Sequence, residues 1–345
     1  MKRFVVILMV VVGVSGLILG VRVAPAPAAE KPVELSVSHM YPANSFEDKH
    51  INRWAKKVEE ESKGRLKFRI FPGGVLVNAF ETYSGVAKGV ADIGASYRYD
   101  RKGAELTGMV SETFAGVPDA TTGTRILDDI RKKFPEWDKE WEAVKVLWAA
   151  SDGPAYIVTK PRPVKTLEDL KGLQLRVPVR EAAEGLKALG GTPVGMPLAD
   201  FVIGLEKGTV DGGTVQKRAI QSYKLAPSAK YCTEMSLYCP SNWFMAMNWT
   251  KWKALPPDLQ KVIDDNREWG KRDCVATFDA GDKAGIDWAK NLGMEFISLK
   301  PEEKKRWLAI LGDAYGKLAA GLDARGYPAT KMFSFVRERM AEYVK

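Results

Sequence analysis

Residues 165–223 read KTLEDLKGLQLRVPVREAAEGLKALGGTPVGMPLADFVIGLEKGTVDGGTVQKRAIQSY, and this stretch decides the fold. It begins with a short helix, in which Thr166 and Asp169 have nearly the spacing of a capping box and which Gly172 ends. A strand, a helix, a second strand, a helix that stops at Gly208 and a third strand follow. This alternation is typical of an α/β unit with parallel strands.

One arginine, Arg176, lies in the first strand of this stretch, residues 173–177, which is otherwise largely apolar. A guanidinium in such a strand is costly to bury without a partner, so it must meet a carboxylate or stay hydrated. The carboxylate belongs either to the protein, as an internal ion pair, or to a ligand. Both alternatives are open at this point.

A similar unit precedes it, from residue 33 to residue 97. The first strand, residues 33–40, alternates Leu35, Val37 and His39, which predicts a half-buried strand at a sheet edge. Two helices and two further strands follow, and this order predicts a doubly wound α/β unit. The apolar helix positions predicted to face inward are Ile51, Trp54, Ala55 and Val58 in one helix and Phe80, Tyr83, Val86, Ala87 and Val90 in the other.

The third strand of this first unit, residues 92–97, consists mainly of small residues. Ligands in open α/β sheets bind at the carboxyl ends of strands, where small residues leave room. Tyr97 and Arg98 are therefore expected to face a ligand gap. Alternatively, Gly94 and Ala95 only allow a helix to pack closely.

The alternation stops after residue 223. Two extended runs, residues 230–239 and 242–248, are followed by a helical pattern over residues 257–292, far longer than a typical globular helix. Glycines within the pattern are candidate bend points: Gly270, Gly281 and Gly285.

The amino terminus, residues 1–28, has the pattern of a secretory signal peptide. Lys2 and Arg3 precede an apolar run, and small residues near Ala28 supply a cleavage site. A retained membrane anchor is the alternative, but the run is short and interrupted by glycine. We therefore expect an exported, periplasmic protein.

The charge of the whole chain is +9, and removal of Lys2, Arg3 and Arg22 leaves about +6. A mild positive excess suits a small organic anion or a membrane surface, although surplus lysine on helix surfaces explains it equally well. The charge is spread along the chain, which argues against a nucleic-acid groove.

Catalytic and metal motifs have little support. The chain contains only two histidines, His39 and His50, and no motif for a metal, a nucleotide cofactor or a serine nucleophile. The three cysteines have no zinc-type spacing. Either Cys232 and Cys239 form a disulfide and leave Cys274 free, or all three cysteines are buried thiols. We predict no enzyme activity, no cofactor and no bound metal.

Several segments resemble the periplasmic solute-binding subunits of TRAP transporters, the DctP family. They are LEDLKGLQLRVP at 167–178, LGGTPVGMP at 189–197, LEKGTVDG at 205–212, GRLKFRIFPGG at 64–74, KGVADIG at 88–94 and LPPDLQKVI at 255–263. Together they span nearly all of the chain after the signal segment.

The resemblance implies an α/β fold of the periplasmic-binding-protein type. This is a two-lobed clamshell with crossing hinge strands and a long helix that spans both lobes. Lobe I is expected to contain residues 30–153 and 242–281, and lobe II residues 154–241 and 282–345. The implied function is a periplasmic receptor that binds an organic acid and delivers it to the membrane permease subunits of a TRAP transporter.

The arginine of the LRVP strand in this family holds the ligand carboxylate, and here it is Arg176. The sequence departs from the sialic-acid-binding members at three other positions. Their second arginine falls at Tyr156, their asparagine falls at or near Val215 with Gln216 next, and their aromatic residue falls near Leu198. These departures predict a less polar pocket and a ligand other than sialic acid.

The complete predicted ligand site has three parts. Arg176 is the anchor. The predicted walls and rim are Tyr156, Trp148, Tyr97, Trp243, Phe244, Met196, Pro197, Val215 and Gln216, with His39 and Asn44 from the first unit. Two alternative functions remain: a periplasmic sensor for a membrane signalling partner, and an exported hydrolase or lyase.

Overall fold

Two β-sheets organise the part of the chain that the computed structural model describes, residues 31–99 and 103–344. The predicted signal segment, residues 1–28, lies outside the described residues. The strands are β1 (Val33–His39), β2 (Leu66–Phe71), β3 (Ile93–Tyr97), β4 (Lys145–Ala150), β5 (Ala155–Thr159), β6 (Gln174–Val177), β7 (Thr192–Gly195), β8 (Gly212–Val215), β9 (Tyr231–Tyr238), β10 (Trp243–Met247) and β11 (Glu295–Ile297).

Helices cover the faces of both sheets. They are α1 (Phe46–Glu61), α2 (Thr82–Ala87), α3 (Glu105–Glu112), α4 (Ala120–Lys133), α5 (Pro135–Lys139), α6 (Arg180–Ala188), α7 (Leu198–Lys207), α8 (Lys217–Ser222), α9 (Trp249–Ala254), α10 (Pro257–Asp265), α11 (Arg267–Asn291), α12 (Pro301–Asp323) and α13 (Ala329–Tyr343). No helix among the described residues is long and apolar enough to cross a membrane.

The first sheet has the order β2-β1-β3-β10-β4, in which β1, β2 and β3 are parallel and β10 is antiparallel to both of its neighbours. The predicted βαβαβ order is confirmed, but the prediction that β1 is an edge strand is wrong, since it lies between β2 and β3. Its alternating polar residues are satisfied by neighbouring elements: Ser36 Oγ donates to Asp92 (2.9 Å) and Ser38 Oγ to the Val77 carbonyl (3.4 Å).

The hydrophobic pattern predicted α1 well and α2 less well. In α1, all of the predicted apolar positions are buried, and the Ser45 side chain caps the helix by accepting from the Asp48 N–H. Helix α2 is shorter than predicted, so Phe80 and Val90 lie outside it and are exposed by 39% and 55%.

The second sheet has the order β11-β9-β5-β8-β6-β7. Its parallel strands β7, β6 and β8 repeat the arrangement of β2, β1 and β3, with the first strand of each unit in the middle. The predicted capping box of Thr166 and Asp169 starts a 3₁₀-helix, Leu167–Leu170, and α7 ends at Gly208 with φ +74°. The second βαβαβ prediction is confirmed.

The chain passes between the sheets at residues 151–154, which join β4 to β5, and at residues 239–242, which join β9 to β10. These two segments are hydrogen-bonded to each other, since the Asp152 N–H donates to the Pro240 carbonyl (2.7 Å). Helix α11 is the third connection, because it packs on α1 and β4 of the first sheet and on α8 beside the second.

The helical pattern over residues 257–292 forms two helices, and the break is at Asn266. The break is not at one of the glycines that the sequence offered as bend points, all of which lie inside α11. They allow close approach instead: a Cβ on Gly285 would lie 2.3 Å from the Lys217 carbonyl oxygen, and one on Gly270 would lie 2.8 Å from both Trp148 and Trp54. Helix α11 can therefore lie directly against α8.

The three cysteines, Cys232, Cys239 and Cys274, are buried free thiols. Cys232 and Cys239 are therefore thiols and do not form the disulfide that was the other alternative. Cys239 Sγ lies 2.9 Å from Ser151 Oγ, so it joins the two crossing segments through a hydrogen bond.

Candidate ligand-binding site

A cavity lies where the carboxyl ends of the central strands of both sheets meet. The first sheet and α1 contribute Met40, Tyr41, Glu47, Tyr97 and Tyr99. The second sheet and its helices contribute Arg176, Pro178, Leu198, Thr214, Gln216, Arg218, Ala219 and Tyr223. The crossing segment and the end of β9 add Tyr238, Pro240 and Asn242. Ligand sites of open α/β sheets occupy this position.

Arg176 is a buried cation of this cavity, with only 4% of its surface exposed. Its Nε donates to the Met196 carbonyl (2.9 Å) and its Nη1 to the Thr214 carbonyl (3.0 Å). A guanidinium has five N–H groups, so three remain for another acceptor. Among the described residues, no carboxylate lies within ion-pairing distance of it.

The local sequence makes room for this arginine. In the β6–β8 pair, Gly213 lies opposite Arg176. A Cβ at residue 213 would lie 2.8 Å from the Arg176 Cβ and 2.9 Å from the Phe201 ring. Gly213 thus lets the arginine strand and α7 pack closely at Arg176.

Tyrosine rings form much of the remaining wall: Tyr41, Tyr97, Tyr99, Tyr223 and Tyr238. The Tyr97 and Tyr99 ring centroids are 5.5 Å apart, and Phe80 continues this row at 4.6 Å from Tyr99. The Tyr238 hydroxyl lies 2.7 Å from Thr214 Oγ1. A tyrosine wall combines large apolar ring faces with a few fixed polar groups.

A second buried arginine, Arg218, lies in α8 and contacts three carboxylates. Its Nε donates to Glu47 Oε1 (2.8 Å), its Nη1 to Asp282 Oδ1 (3.2 Å) and to the Asp152 carbonyl (2.8 Å), and its Nη2 to the Asp152 carboxylate. The cluster therefore joins α1, the first crossing segment, α8 and α11.

Burial raises the pKa of the Asp152 carboxyl to about 7, although the charge of Arg218 and a hydrogen bond from the Tyr97 hydroxyl act in the opposite direction. Burial likewise raises the pKa of Asp282. Three carboxylates around one guanidinium leave an excess of negative charge, so protonation of Asp152 near neutral pH relieves it.

Glu47 has one carboxylate oxygen that no described residue contacts through a hydrogen bond. Its Oε1 accepts from Arg218, while its Oε2 is buried and has no hydrogen-bond partner among the described residues. Asn242 is similar: its Nδ2 donates to the Arg98 carbonyl (3.2 Å), and its Oδ1 is buried without a described partner. Both residues line the cavity.

Three of the residues predicted for the ligand site line this cavity: Arg176, Tyr97 and Gln216. Met196 contributes its carbonyl to Arg176, and Pro197 is the residue that precedes α7. Leu198, near which the aromatic residue of the sialic-acid-binding members was expected to fall, also lines the cavity.

The other predicted wall residues lie in the packed interior. Trp148 and Trp243 belong to the core under α1 and α11, and Phe244 packs on Tyr83 and Trp141. Tyr156 and Val215 lie in the core beside α8, with Lys217 Nζ 4.3 Å from the Tyr156 ring centroid.

The polar residues of the first unit that were predicted to face the ligand contact other parts of the protein. His39 is fully buried, with its Nε2 3.1 Å from Asp48, and the Asn44 N–H donates to the same carboxylate (2.8 Å). Arg98, expected to face the gap, lies 3.8 Å from the Tyr83 ring centroid and donates to the Gly103 carbonyl (3.2 Å).

Sequence reasoning missed Arg218 and most of the tyrosines. The carboxylate partners of Arg218 are 171, 66 and 64 positions away in the chain, so no local pattern connects them. Glu47 gave no signal either, because an acidic residue in the first turn of a helix is ordinary.

Solved structures of similar fold are known. A TRAP solute-binding protein from Rhodoferax ferrireducens, in complex with copurified benzoate, has a TM-score of 0.83 and 26% identity, over 90% of this chain and 98% of that one. A marine metagenome TRAP solute-binding protein specific for aromatic acid ligands, crystallised with 3-hydroxybenzoate, has a TM-score of 0.82 and 25% identity, over 91% and 100%. The expected two-lobed periplasmic-binding-protein fold is thereby confirmed.

A curated relative is the 2,3-diketo-L-gulonate-binding periplasmic protein YiaO of Escherichia coli. It is 27% identical over 269 residues, which cover 75% of this chain and 79% of the relative. The model of the DctP family, described as bacterial extracellular solute-binding protein, family 7, matches residues 37–321. The chain therefore belongs to family 7 of the bacterial extracellular solute-binding proteins, the DctP family of TRAP solute-binding proteins.

Proposed function

We propose that this protein is a periplasmic receptor for a monocarboxylate with an aromatic body, which it delivers to the membrane permease subunits of a TRAP transporter. The observation that carries the proposal is Arg176: a buried guanidinium with three unused N–H groups at the wall of a largely apolar cavity. The internal ion pair that the sequence left open has no partner among the described residues.

A carboxylate matches this donor set. The two backbone carbonyls hold the guanidinium plane in place, and the unused N–H groups of Nη1 and Nη2 can donate two parallel bonds to two carboxylate oxygens. The arginine is oriented before the ligand arrives, so little side-chain entropy is lost on binding. A ligand carboxylate also neutralises a cation that is otherwise costly to bury.

The tyrosine wall favours an aromatic body over a sugar. Ring faces such as those of Tyr97 and Tyr99 offer flat apolar contact, which suits a planar ligand. Two similar proteins of known structure hold benzoate and 3-hydroxybenzoate. These likenesses support an aromatic acid.

Binding is expected to close two lobes over the ligand. The lobes follow the division into residues 30–153 with 242–281 and residues 154–241 with 282–345. Cavity residues come from both: Tyr97 from the first and Arg176 from the second. Closure is driven by ligand contacts that only the closed state makes on both sides.

The protein binds and releases its ligand unchanged in this proposal. A sensor for a membrane signalling partner and an exported hydrolase or lyase are the alternatives from the sequence, and no feature of the cavity favours either. Incubation of the purified protein with each bound acid, followed by chromatography, tests for turnover. Conversion of the acid at a catalytic rate would establish the enzyme.

The decisive test is calorimetry with benzoate on protein that has been unfolded and refolded to remove any copurified ligand. Arg176→Ala is expected to weaken binding about 100-fold or more, because two charge-assisted bonds are lost. Arg176→Lys is expected to weaken it about tenfold or more, since a lysine cannot form the bidentate pair.

Arg180→Ala is the matched control, because Arg180 is an exposed arginine of α6 that does not line the cavity. It should bind like the wild type. Equal affinity of the wild type and Arg176→Ala for every carboxylate bound would overturn the assignment. A thermal-shift screen of sugar acids and aliphatic acids tests the aromatic preference. These acids should raise the melting temperature less than benzoate does.

A further inference from the structure

We propose that the ligand carries a hydroxyl group on its aromatic body, away from the carboxylate, and that this hydroxyl donates a hydrogen bond to Glu47 Oε2. The inference rests on the proposed function, because it presumes that Arg176 holds the carboxylate. It adds a specificity-determining residue and narrows the ligand to a hydroxylated aromatic monocarboxylate.

The unused oxygen of Glu47 is the first observation. The Glu47 side chain is buried, with 4% of its surface exposed, and it lines the cavity. Arg218 fixes its orientation through Oε1 at 2.8 Å, and Oε2 has no donor among the described residues. A buried acceptor without a donor destabilises a protein, so such an atom in a ligand cavity indicates a donor that arrives with the ligand.

A second acceptor lies in the same cavity. Asn242 Oδ1 is also buried without a described partner, and the Asn242 N–H₂ group is directed to the Arg98 carbonyl. Among the described residues, the cavity thus combines one available cation, Arg176, with two unpaired acceptors. A complementary ligand has an anionic end and a donor elsewhere.

The charges around Arg218 exclude a second ligand carboxylate at Glu47. Four of the five Arg218 N–H groups already donate to protein oxygens, so this guanidinium has almost no capacity left for a ligand. A second carboxylate near Glu47 would meet a like charge, and Arg218 could offer it at most one N–H group. A hydroxyl meets neither obstacle.

Calorimetry of the wild-type protein with benzoate and its three monohydroxy isomers tests the inference. At least one of 3-hydroxybenzoate and 4-hydroxybenzoate should bind about tenfold or more tightly than benzoate, since hydrogen bonds to a charged acceptor are strong. 2-Hydroxybenzoate is the control, because its hydroxyl donates to its own carboxylate. The methyl ether of the preferred isomer should bind no more tightly than benzoate, since it has no hydroxyl group to donate a hydrogen bond.

Glu47→Gln assigns the effect to this residue. The glutamine can keep an oxygen towards Arg218 and turns an N–H₂ group to the position of Oε2, which converts the acceptor into a donor. The measured quantity is the ratio of the two dissociation constants, benzoate over hydroxybenzoate, within each variant. An overall weakening of binding cancels in this ratio, which should fall several-fold, because the glutamine N–H₂ group can form only a neutral hydrogen bond to the ligand hydroxyl oxygen in place of a charge-assisted one.

If the variant does not fold, which a thermal melt detects, the wild-type series and its methyl ether decide alone. Hydroxy isomers that bind no better than benzoate, or an unchanged ratio in Glu47→Gln, overturn the inference and leave the proposed function intact. Failure of every aromatic acid to bind, with no effect of Arg176→Ala, overturns the proposed function itself.

Discussion

Arg176 and Arg218 line the same cavity and are both buried, yet their surroundings are opposite. Arg218 contacts the carboxylates of Glu47, Asp152 and Asp282, which lie on three different segments. Arg176 contacts two backbone carbonyls and, among the described residues, no carboxylate. One cation is satisfied by the protein, and the other is held in place but left with donors to spare.

This difference separates a structural role from a binding role. A buried ion cluster of the Arg218 kind fixes the segments that contribute to it, because removal of one partner leaves charges buried without compensation. A buried cation of the Arg176 kind is compensated only when an anion binds. Pairing within the protein, and not burial, is therefore the property that distinguishes the two arginines.

The largest expected effect comes from removing each arginine in turn. Arg218→Met should lower the free energy of unfolding by about 3–5 kcal/mol, because the carboxylates lose their cation. Arg176→Met should lower it by about 1 kcal/mol, since only hydrogen bonds to two carbonyls are lost. Urea unfolding of both variants without ligand measures the two values.

The control for that experiment is Arg180→Met, which changes an exposed arginine and should leave stability within about 0.5 kcal/mol of the wild type. Similar losses of unfolding free energy in Arg176→Met and Arg218→Met would show that both arginines are structural. The distinction drawn between the two arginines would then be wrong.

An effect of comparable size is expected from pH. The pKa of Asp152 is raised to about 7 in the folded protein, whereas an unfolded aspartate titrates near 4. Between these values the folded state holds the proton that the unfolded state has lost, so the contribution to stability is fully present below about pH 4 and falls as the pH rises towards 7. The slope is at most about 1.4 kcal/mol per pH unit.

Asp152→Asn isolates this contribution, because asparagine does not titrate. The unfolding free energy of the wild type minus that of the variant should decrease from pH 4 to pH 7 and then become constant. Chemical unfolding at five or six pH values measures the difference. A difference that increases with pH would mean that the pKa of Asp152 is lowered, as expected of an ordinary ion pair.

The sequence predicted the local parts of this molecule well. Both βαβαβ units follow from hydrophobic periodicity and from turn residues such as Gly172 and Gly208, which act over a few positions. Arg176 was singled out because a charge inside an apolar strand is unusual, and its role in ligand binding stays a prediction. The break at Asn266 was missed, since nothing in the helical pattern distinguishes that residue.

The walls of the cavity were predicted less well, for a geometric reason. Side chains along a strand alternate between the two faces of the sheet and pack on its covering helices, as Trp148 and Trp243 do. The cavity lies at the ends of the strands, so its walls come from residues just at or beyond them, such as Tyr99 and Gln216. A sequence shows which aromatic residues lie in strands, but the end of a strand is the least certain boundary.

Tyr97 contacts both the ligand cavity and the Arg218 cluster, and its substitution is expected to have the smallest effect. Its ring lines the cavity, and its hydroxyl donates to the Asp152 carboxylate. In Tyr97→Phe, Asp152 loses a donor that lowers its pKa, so this pKa should rise further and the unfolding free energy at pH 8 should fall by about 1–2 kcal/mol. At pH 4 the loss should be smaller, because the protonated carboxyl needs that donor less. Urea unfolding at both pH values measures the two losses, and benzoate affinity should change only a few-fold because the ring face is kept. An affinity loss as large as that of Arg176→Ala would instead make the Tyr97 hydroxyl a ligand contact and assign part of the Arg218 cluster to binding.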